Sequence, residues 1–197
     1  MAQGIPLKDA IRRKGILLDT NVLPHFFSGP QIGILKQYGA YYKPGALKYE
    51  PVRNRFKGRF YTSIVNVVEC LCEKSAALDV AQQILKAITS FATPCFPRNR
   101  HVLDVFADKG ESFALLWNDR SANAIRALET VELQLAAADR ATLREFVKPY
   151  AARDRGWADI YTAQTAIDHQ LIVLTEDIAD FESISRLEYL TDYSATG

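Results

Sequence analysis

Between residues 15 and 21 the chain reads Gly15-Ile16-Leu17-Leu18-Asp19-Thr20-Asn21, a short apolar run that stops abruptly at polar, turn-forming residues. An unbroken apolar run of this kind is typical of a strand buried on both faces of a parallel sheet. In such sheets the functional crevice lies beyond the carboxyl ends of the strands, which is where Asp19 stands. The segment therefore predicts an α/β fold with a carboxylate at the edge where sites are built.

Strand-like and helix-like segments alternate along the rest of the chain. Residues 60–62 are predicted to form a second strand, which enters a helix capped by Ser63, and another helix is predicted from about 76 to 88. Pro94 and Pro97 then break the chain, and residues 99–150 are predicted to be helical. The last third reads as helix 157–169, strand 171–174, helix 178–183 and strand 187–190. Right-handed crossovers between these strands give a three-layer α/β sandwich around a short central parallel sheet.

Length and composition indicate one domain. The chain has 197 residues, 48% hydrophobic and 24% charged, which suits a single soluble domain with a substantial core. We predict a flexible basic leader over residues 1–14 and one domain over residues 15–197. Three cysteines without zinc-like spacing, and no apolar stretch long enough for a bilayer, lead us to expect a reduced, cytoplasmic protein.

Residues 36–59 form a basic, tyrosine-rich insertion that we expect to be an extended loop. It holds seven lysines and arginines against one acid, a local charge of +6, so the rest of the chain carries −5 of the total +1. Cations follow phosphates and tyrosines stack on unpaired bases, so the insertion is a candidate RNA-binding surface. A solvated insertion or a dimer contact would also explain it. The candidate RNA-binding residues are Lys43, Lys48, Arg53, Arg55, Lys57, Arg59, Tyr41 and Tyr42.

Four acids occupy positions that point to a shared metal site. Asp19 and Asp177 follow predicted strands, Asp159 lies in the first turn of a helix rich in alanine, and Glu69 lies in an otherwise apolar helix. Carboxylates that converge repel one another by roughly 4 kcal/mol per pair at about 4 Å and an effective dielectric near 20. A divalent cation removes this cost, and oxygen ligands suit Mg²⁺ or Mn²⁺.

Each acid also has a purely structural explanation. Asp19 and Asp177 can cap the helices that follow them, and Asp159 can interact with the dipole at the N-terminus of its helix. Glu69 can pair with a basic side chain across the core or face solvent. All four explanations would have to hold together, so we favour the shared site.

The acids and their neighbours resemble the four motifs of PIN domains. In those domains a hydrophobic strand is followed by Asp-Thr-Asn, a Ser stands six residues before an acidic ligand, an Asp opens a helix of small residues, and an Asp or Asn follows a late strand. The matching segments here are 17–22, 63–69, 159–166 and 174–177, followed by Asp180-Phe181. They occur in the family's order and frame residues 15 to about 185.

The resemblance implies a compact Rossmann-like fold, a homodimer in many members, and metal-dependent endonucleolytic cleavage of RNA. Many bacterial members are similar to VapC toxins, which a partner antitoxin restrains. This chain departs from the small PIN toxins in its insertion at 36–59 and in the length of the stretch between Glu69 and Asp159. The catalytic centre therefore carries over more directly than the biological role.

We hypothesise that Asp19, Glu69, Asp159 and Asp177 bind one or two Mg²⁺ or Mn²⁺ ions that activate a water for attack on RNA. Four neighbouring polar residues would orient these ligands or contact phosphate oxygens. Those residues are Thr20, Asn21, Ser63 and Thr175. Asp180 is a fifth candidate for this role, ranked below Asp177 because a helix cap or a salt bridge explains it more readily.

Three rival functions follow from the same residues. A phosphatase of the haloacid-dehalogenase type also places an Asp after its first strand, but it needs Asp-x-Asp, and the second position here is Asn21. A non-catalytic RNA-binding or scaffold protein would keep the fold without the chemistry. A housekeeping RNA-processing nuclease would share the chemistry without an antitoxin.

Overall fold

The computed structural model describes residues 1–10, 15–27, 46–74, 78–98 and 156–193. The helices predicted within 99–150, and the candidate RNA-binding residues Tyr41, Tyr42 and Lys43, lie outside the described residues. No helix within the described ranges is both long and apolar enough to cross a membrane.

Six parallel strands form one central sheet, which confirms the predicted α/β architecture. Their order in the sheet is β1-β6-β5-β2-β3-β4. Because every pair is parallel, the carboxyl ends of all six strands meet at one edge. The strands are β1 Gln3–Pro6, β2 Ile16–Leu18, β3 Phe60–Ser63, β4 Ala92–Cys95, β5 Ile172–Leu174 and β6 Glu188–Asp192.

Helices connect and cover these strands. The helices predicted to carry Glu69 and Asp159 are both present. Two short 3₁₀ helices span Leu23–Phe26 and Ala46–Tyr49. The α-helices are α1 Leu7–Ala10, α2 Glu50–Arg55, α3 Ile64–Lys74, α4 Leu78–Thr89, α5 Gly156–His169 and α6 Ile178–Glu182.

The side chains of β2 and β5 alternate between two hydrophobic clusters, as residues in a strand must. Leu17 and Val173 pack in one cluster with Ala163 and Ala166 of α5, whose small side chains allow the helix to lie close to the sheet. The residues flanking them in the same two strands belong to the second cluster, with the 3₁₀ helices, α2, α3 and α4. Helices therefore cover both faces of the sheet, giving the three predicted layers.

The prediction of a flexible N-terminal leader is wrong for residues 3–10. Residues Gln3–Pro6 form β1, an edge strand that pairs in parallel with β6, with Gln3 opposite Glu188. Leu7 and Ala10 of the following helix are fully buried. The basic residues of this segment suggested solvent exposure, but its apolar residues are buried by a strand from the far end of the chain.

Pro94 does not break the chain where it was expected to. It lies inside β4, opposite Thr62 of β3. Since β4 is the last strand in the order, one of its sides forms no ladder within the sheet, and a residue without an N–H is tolerated there.

The prediction of an extended loop is wrong for the described part of the insertion, residues 46–55, which are helical. Tyr49, Val52 and Phe56 are fully buried in the core. Their spacing of three and four residues is that of a helix face, and Pro51 sits in the first turn, where proline is accepted. Two of the aromatic side chains therefore fill the core and are not presented to bases.

Candidate active site

The ends of β2 and β5 bring two polar loops side by side at the carboxyl edge of the sheet. Leu18 is opposite Leu174 in the register, and the Asp19 backbone N–H donates to the Leu174 carbonyl at 3.1 Å. From β2 the chain proceeds to β3 and β4 on one side, whereas β5, β6 and β1 lie on the other. The two loops therefore flank the point at which the strand order reverses, the usual location of sites in such sheets.

Both carboxylate oxygens of Asp19 are held by hydrogen bonds. Oδ1 accepts from the Thr20 backbone N–H at 2.8 Å, and Oδ2 accepts from the Thr175 hydroxyl at 2.7 Å. Asp19 is 6% exposed and Thr175 is 1% exposed. Thr20 and Thr175, predicted to orient ligands, thus lie in direct contact with the first acid.

Asn21 ties the two loops together. Its amide nitrogen donates to the Thr175 hydroxyl at 3.2 Å and to Oδ2 of Asp177 at 3.3 Å, and its amide oxygen accepts from the Glu176 backbone N–H at 3.2 Å. Asp177 precedes α6, but its side chain makes no capping hydrogen bond to that helix. Helix capping therefore does not explain Asp177.

Glu69 reaches the same loop from α3. The Thr20 hydroxyl donates to its Oε2 at 2.5 Å, and the side chain is partly buried. Glu69 is thus linked to Asp19 through one intervening residue.

Asp159 and Asp19 have strongly raised pKa values. Burial is the main cause of the rise in Asp159, to about 7, and the charges of Asp19, Asp180 and Asp177 add to it. Burial also raises the pKa of Asp19, to about 6, against the hydrogen bonds from Thr175 and Thr20, while the charges of Asp177 and Asp180 raise it further. Aspartates from three separate parts of the chain therefore contribute to the raised pKa values of Asp19 and Asp159.

Asp180 has a different place from the one predicted. It was expected to cap a helix or form a salt bridge, yet its charge raises the pKa of Asp159 more than that of Asp177 does. We assign it to the group formed by Asp19, Asp159, Asp177 and Asp180, which we call the aspartate cluster.

No lysine or arginine within the described ranges forms an ion pair with the aspartate cluster. The ion pairs found there join Lys48 and His25 to Glu176, at 2.5 and 3.5 Å. The electrostatic cost of the cluster is therefore not offset by a described basic side chain, which is the situation that favours binding of a cation.

The donor chemistry of the cluster suits a hard divalent cation, because all of its ligand atoms are carboxylate oxygens. Among the residues that the structure describes, no three histidine, cysteine or acidic side chains stand close enough together to hold a metal ion as they lie. The same oxygens would have to move toward one another to share an ion.

No protein-family model and no curated protein matches this chain. Solved structures that match include VapBC-1 from nontypeable Haemophilus influenzae, at 14% identity and a TM-score of 0.40, covering 90% of this chain and 97% of that one. FitAB bound to the IR36 DNA fragment matches at 17% identity and 0.41, covering 89% and 94%.

A third match is VapBC-5 from Mycobacterium tuberculosis, a member of the VapBC family of toxin-antitoxin systems. It is 16% identical, with a TM-score of 0.36, and covers 90% of this chain and 98% of that one. Two of the three structures are thus named as VapBC proteins. At such low identities and TM-scores, the case for a function rests on this chain's own residues.

The described part of the insertion packs against the loop that carries Asp177. Lys48 Nζ and the Tyr49 hydroxyl both donate to Oε1 of Glu176, at 2.5 and 3.0 Å. Burial of Glu176 acts to raise its pKa, but the hydrogen bonds from Lys48 and Tyr49 outweigh it and the pKa is lowered. Lys48, predicted to bind RNA, therefore holds a loop of the site in place.

The other candidate RNA-binding cations differ in their surroundings. The Arg53 guanidinium lies over the Phe26 ring at 5.1 Å, and that of Arg59 lies over Phe56 at 4.7 Å. Arg59 also donates to the Arg55 carbonyl at 3.0 Å. Lys57 is exposed, and Arg55 is partly exposed, as Arg53 and Arg59 are.

Several buried polar residues beneath the acids were missed by the sequence analysis. Asn66, Thr62 and Thr162 are fully buried; Asn66 and Thr62 both donate to the Leu18 carbonyl, and Thr162 donates to the Asn66 amide oxygen. Ser63, predicted to orient a ligand, lies instead beside Thr165, with 3.3 Å between their hydroxyls. The sequence did offer one sign of this buried polar group, the amide residue Asn66 within the apolar run of α3.

Proposed function

We propose that this protein is a metal-dependent endoribonuclease, with Mg²⁺ or Mn²⁺ bound by Asp19, Glu69, Asp159 and Asp177. The observation that supports the proposal is the raised pKa of Asp19 and of Asp159, to which the charges of other aspartates, from β2 and the loop after β5, contribute. Asp180 adds a further carboxylate to the same place.

Burial and repulsion of these acids cost free energy that a divalent cation would recover. A cation held there would supply an activated water and would neutralise charge on the scissile phosphate. The chain's own part is orientation, because Thr20 and Thr175 fix the two oxygens of Asp19. Asp159, with a pKa of about 7, must lose its proton before its oxygens can bind a cation, so binding should weaken at acidic pH.

Cleavage of single-stranded RNA in the presence of Mn²⁺ tests the proposal. Asp19→Asn keeps the shape of the side chain but removes its charge. We expect it to lower the rate by at least about a hundredfold, the upper end of the cost of losing a group that merely supports a ligand. The matched control is Asp9→Asn, since Asp9 is an exposed aspartate on α1 and lies outside the aspartate cluster. Equal cleavage by wild type and Asp19→Asn would refute the nuclease function.

A non-catalytic RNA-binding or scaffold role is the second candidate. It is favoured by the finding that the described acids do not already converge as a metal-binding trio. Titration calorimetry with Mn²⁺ separates the two candidates, because the scaffold has no need of the ion and would show no binding that Asp19→Asn abolishes.

We further propose, from the resemblance to VapC-like proteins, that the nuclease is a toxin and that its partners include an antitoxin and a second copy of the chain. Expression of the wild type alone should then arrest growth, and Asp19→Asn should not. Relief by a co-encoded neighbouring protein would support the toxin role, whereas tolerated expression of an active nuclease would indicate housekeeping RNA processing.

A further inference from the structure

A buried polar bridge lies beneath the carboxylates, centred on Asn66 of α3. The Asn66 side chain is fully buried, and both ends of its amide are hydrogen-bonded. Its nitrogen donates to the Leu18 carbonyl at 3.0 Å, and its oxygen accepts from the Thr162 hydroxyl of α5 at 2.7 Å. One side chain thus joins the end of a strand to two helices.

Each residue of the bridge lies within three positions of a proposed metal ligand in the sequence. Leu18 is the last residue of β2 and immediately precedes Asp19. Thr162 lies three residues after Asp159 in α5, and Asn66 lies three residues before Glu69 in α3. Residues three apart in a helix lie on the same side of it, so the bridge connects the parts of the backbone that carry these acids.

The Leu18 carbonyl has a second donor, which makes the two functions of Asn66 separable. The Thr62 hydroxyl of β3 also donates to it, at 3.0 Å. Thr62 therefore helps to satisfy a buried carbonyl at the strand end, but it makes no contact with Thr162 in the hydrogen bonds described for it. Of the hydrogen bonds described, those of the Asn66 side chain connect the Leu18 carbonyl directly to α5.

An apolar residue would be the simpler choice at this position. Asn66 is surrounded in sequence by valines and an isoleucine that pack in the core, and a buried amide gains little net stability from its hydrogen bonds. A fully satisfied polar group in a core does, however, specify one arrangement of the elements that it joins. Asn66 therefore contributes more to the arrangement of β2, α3 and α5 than to net stability.

We propose that Asn66 is a positioning residue of the active site, which sets the spacing of the backbone segments that carry Asp19, Glu69 and Asp159. This inference rests on the proposed nuclease function. It assigns to Asn66 no contact with RNA or metal, and it makes the Thr162 hydroxyl its necessary partner.

Two variants remove the bridge and two serve as controls. Asn66→Leu removes both hydrogen bonds, and Thr162→Val removes the connection to α5 with little change in shape. Thr162→Ser keeps the hydroxyl, and Thr62→Val removes the other donor to the Leu18 carbonyl while leaving the bridge. Each full-length protein is measured for Mn²⁺ affinity by calorimetry, for kcat and KM on single-stranded RNA, and for urea stability.

We expect Asn66→Leu and Thr162→Val to weaken Mn²⁺ binding by about 10- to 100-fold, the usual cost of losing a group that orients metal ligands. Their kcat should fall while the KM for RNA changes less than about twofold, since the bridge makes no contact with substrate. Thr162→Ser should bind Mn²⁺ as the wild type does. Thr62→Val should lose stability but keep its affinity for Mn²⁺.

Equal Mn²⁺ affinity in wild type, Asn66→Leu and Thr162→Val would overturn the inference and leave the nuclease function standing. The same loss of affinity in Thr62→Val as in Thr162→Val would also overturn it, because general loosening of the core would then be the cause. Absence of Mn²⁺ binding and cleavage in the wild type would reject both proposals. If Asn66→Leu does not fold by circular dichroism, the pair Thr162→Val and Thr162→Ser decides.

Discussion

Two aspartates of this protein hold protons at pH values where an aspartate is ordinarily ionised. The folded chain keeps Asp19 buried between two threonine-bearing loops and leaves Asp159 to face the charges of three other aspartates. Burial, more than any single repulsion, raises both pKa values. The surroundings of Asp19 and Asp159 thus disfavour their negative charges, and a bound cation would relieve this cost.

Stability should accordingly depend on the charge of Asp159. The pKa of Asp159 is about 7 in the folded protein, against 3.8 for an unperturbed aspartate. The folded state therefore retains a proton that the unfolded state loses as the pH rises. The destabilisation grows from about pH 4 and is complete above about pH 7. Asp159→Asn, which never ionises, should therefore be more stable than wild type at pH 8 by about 1 to 3 kcal/mol.

Urea unfolding at pH 4 and pH 8 with EDTA measures this effect. The advantage of Asp159→Asn should be much smaller at pH 4, where the folded wild-type residue is protonated and the unfolded one is only about half ionised. Asp9→Asn at an exposed position is the control, with an expected change below about 0.5 kcal/mol at either pH. A variant no more stable than wild type at pH 8 would contradict a raised pKa at Asp159.

Among the elements, the connection from α5 to β5 determines how the helix carrying Asp159 meets the strand leading to Asp177. The helix ends with the Leu171 N–H donating to the Ala166 carbonyl at 2.8 Å and the Gln170 N–H to the Ile167 carbonyl at 3.2 Å. This is the Schellman arrangement, in which the residue after the helix takes a left-handed conformation. That residue is Gln170, with φ of 57°.

Glycine suits this conformation better than glutamine, since a left-handed residue with a Cβ costs about 1 kcal/mol or more. Gln170→Gly should therefore raise the free energy of unfolding by about 0.5 to 1 kcal/mol, after allowance for the greater freedom of glycine in the unfolded chain. Gln170→Ala, which keeps the Cβ, should show no such gain. Chemical denaturation of the three proteins makes the comparison, and a gain in the alanine variant equal to that in the glycine variant would disprove this account.

The segment from Ala46 to Phe56 shows how an element acquires a role that its composition conceals. Its aromatic and basic residues fit a nucleic-acid surface, but Tyr49 and Phe56 are in the core and Lys48 is bound to Glu176. The Tyr49 ring also lies 5.2 Å from that of Tyr193, whose hydroxyl donates to the Thr175 carbonyl at 3.3 Å. The segment thus supports the loop that leads to Asp177.

At the scale of the whole molecule, charge is unevenly distributed along a nearly neutral chain. The net charge is +1, yet residues 36–59 carry +6 and the cluster at the sheet edge is acidic. Without a bound metal ion, the aspartate cluster would repel an RNA backbone, and the basic side chains of the insertion would attract it. We infer that Arg55 and Lys57 provide part of this attraction, because Lys57 is exposed and Arg55 is partly exposed two residues before it.

Replacing Arg55 and Lys57 together by alanine should weaken binding of a single-stranded RNA and flatten its salt dependence. Each phosphate contact contributes a slope of about −0.7 in log affinity against log salt, so two contacts should remove about 1.4 from the slope. The binding is measured with Asp19→Asn present, so that no RNA is cleaved. The control is the pair Lys8→Ala and Lys86→Ala, both exposed on other helices. The same salt slope in both double variants would show that this part of the insertion does not contact RNA.

The α/β architecture was predictable because its signals are local. The apolar run at 16–18 and the one at 172–174 are strands as expected, and α5 begins and ends close to its predicted limits. Features that depend on distant partners were missed, as with β1, whose pairing requires a strand almost at the other end of the chain. The tolerance of Pro94 likewise depends on β4 being at the edge of the sheet.

The sequence by itself determined the strands β2, β3 and β5, the helices α3 and α5, and the acids that stand beside them, because periodicity and turn-forming residues act over a few positions. Only the tertiary structure decided which acids influence one another, that Asp180 joins them, and that Lys48 and Tyr49 support a loop where RNA contacts were expected. Charge and burial depend on distances between residues far apart in the chain, and those distances exist only after the sheet has formed.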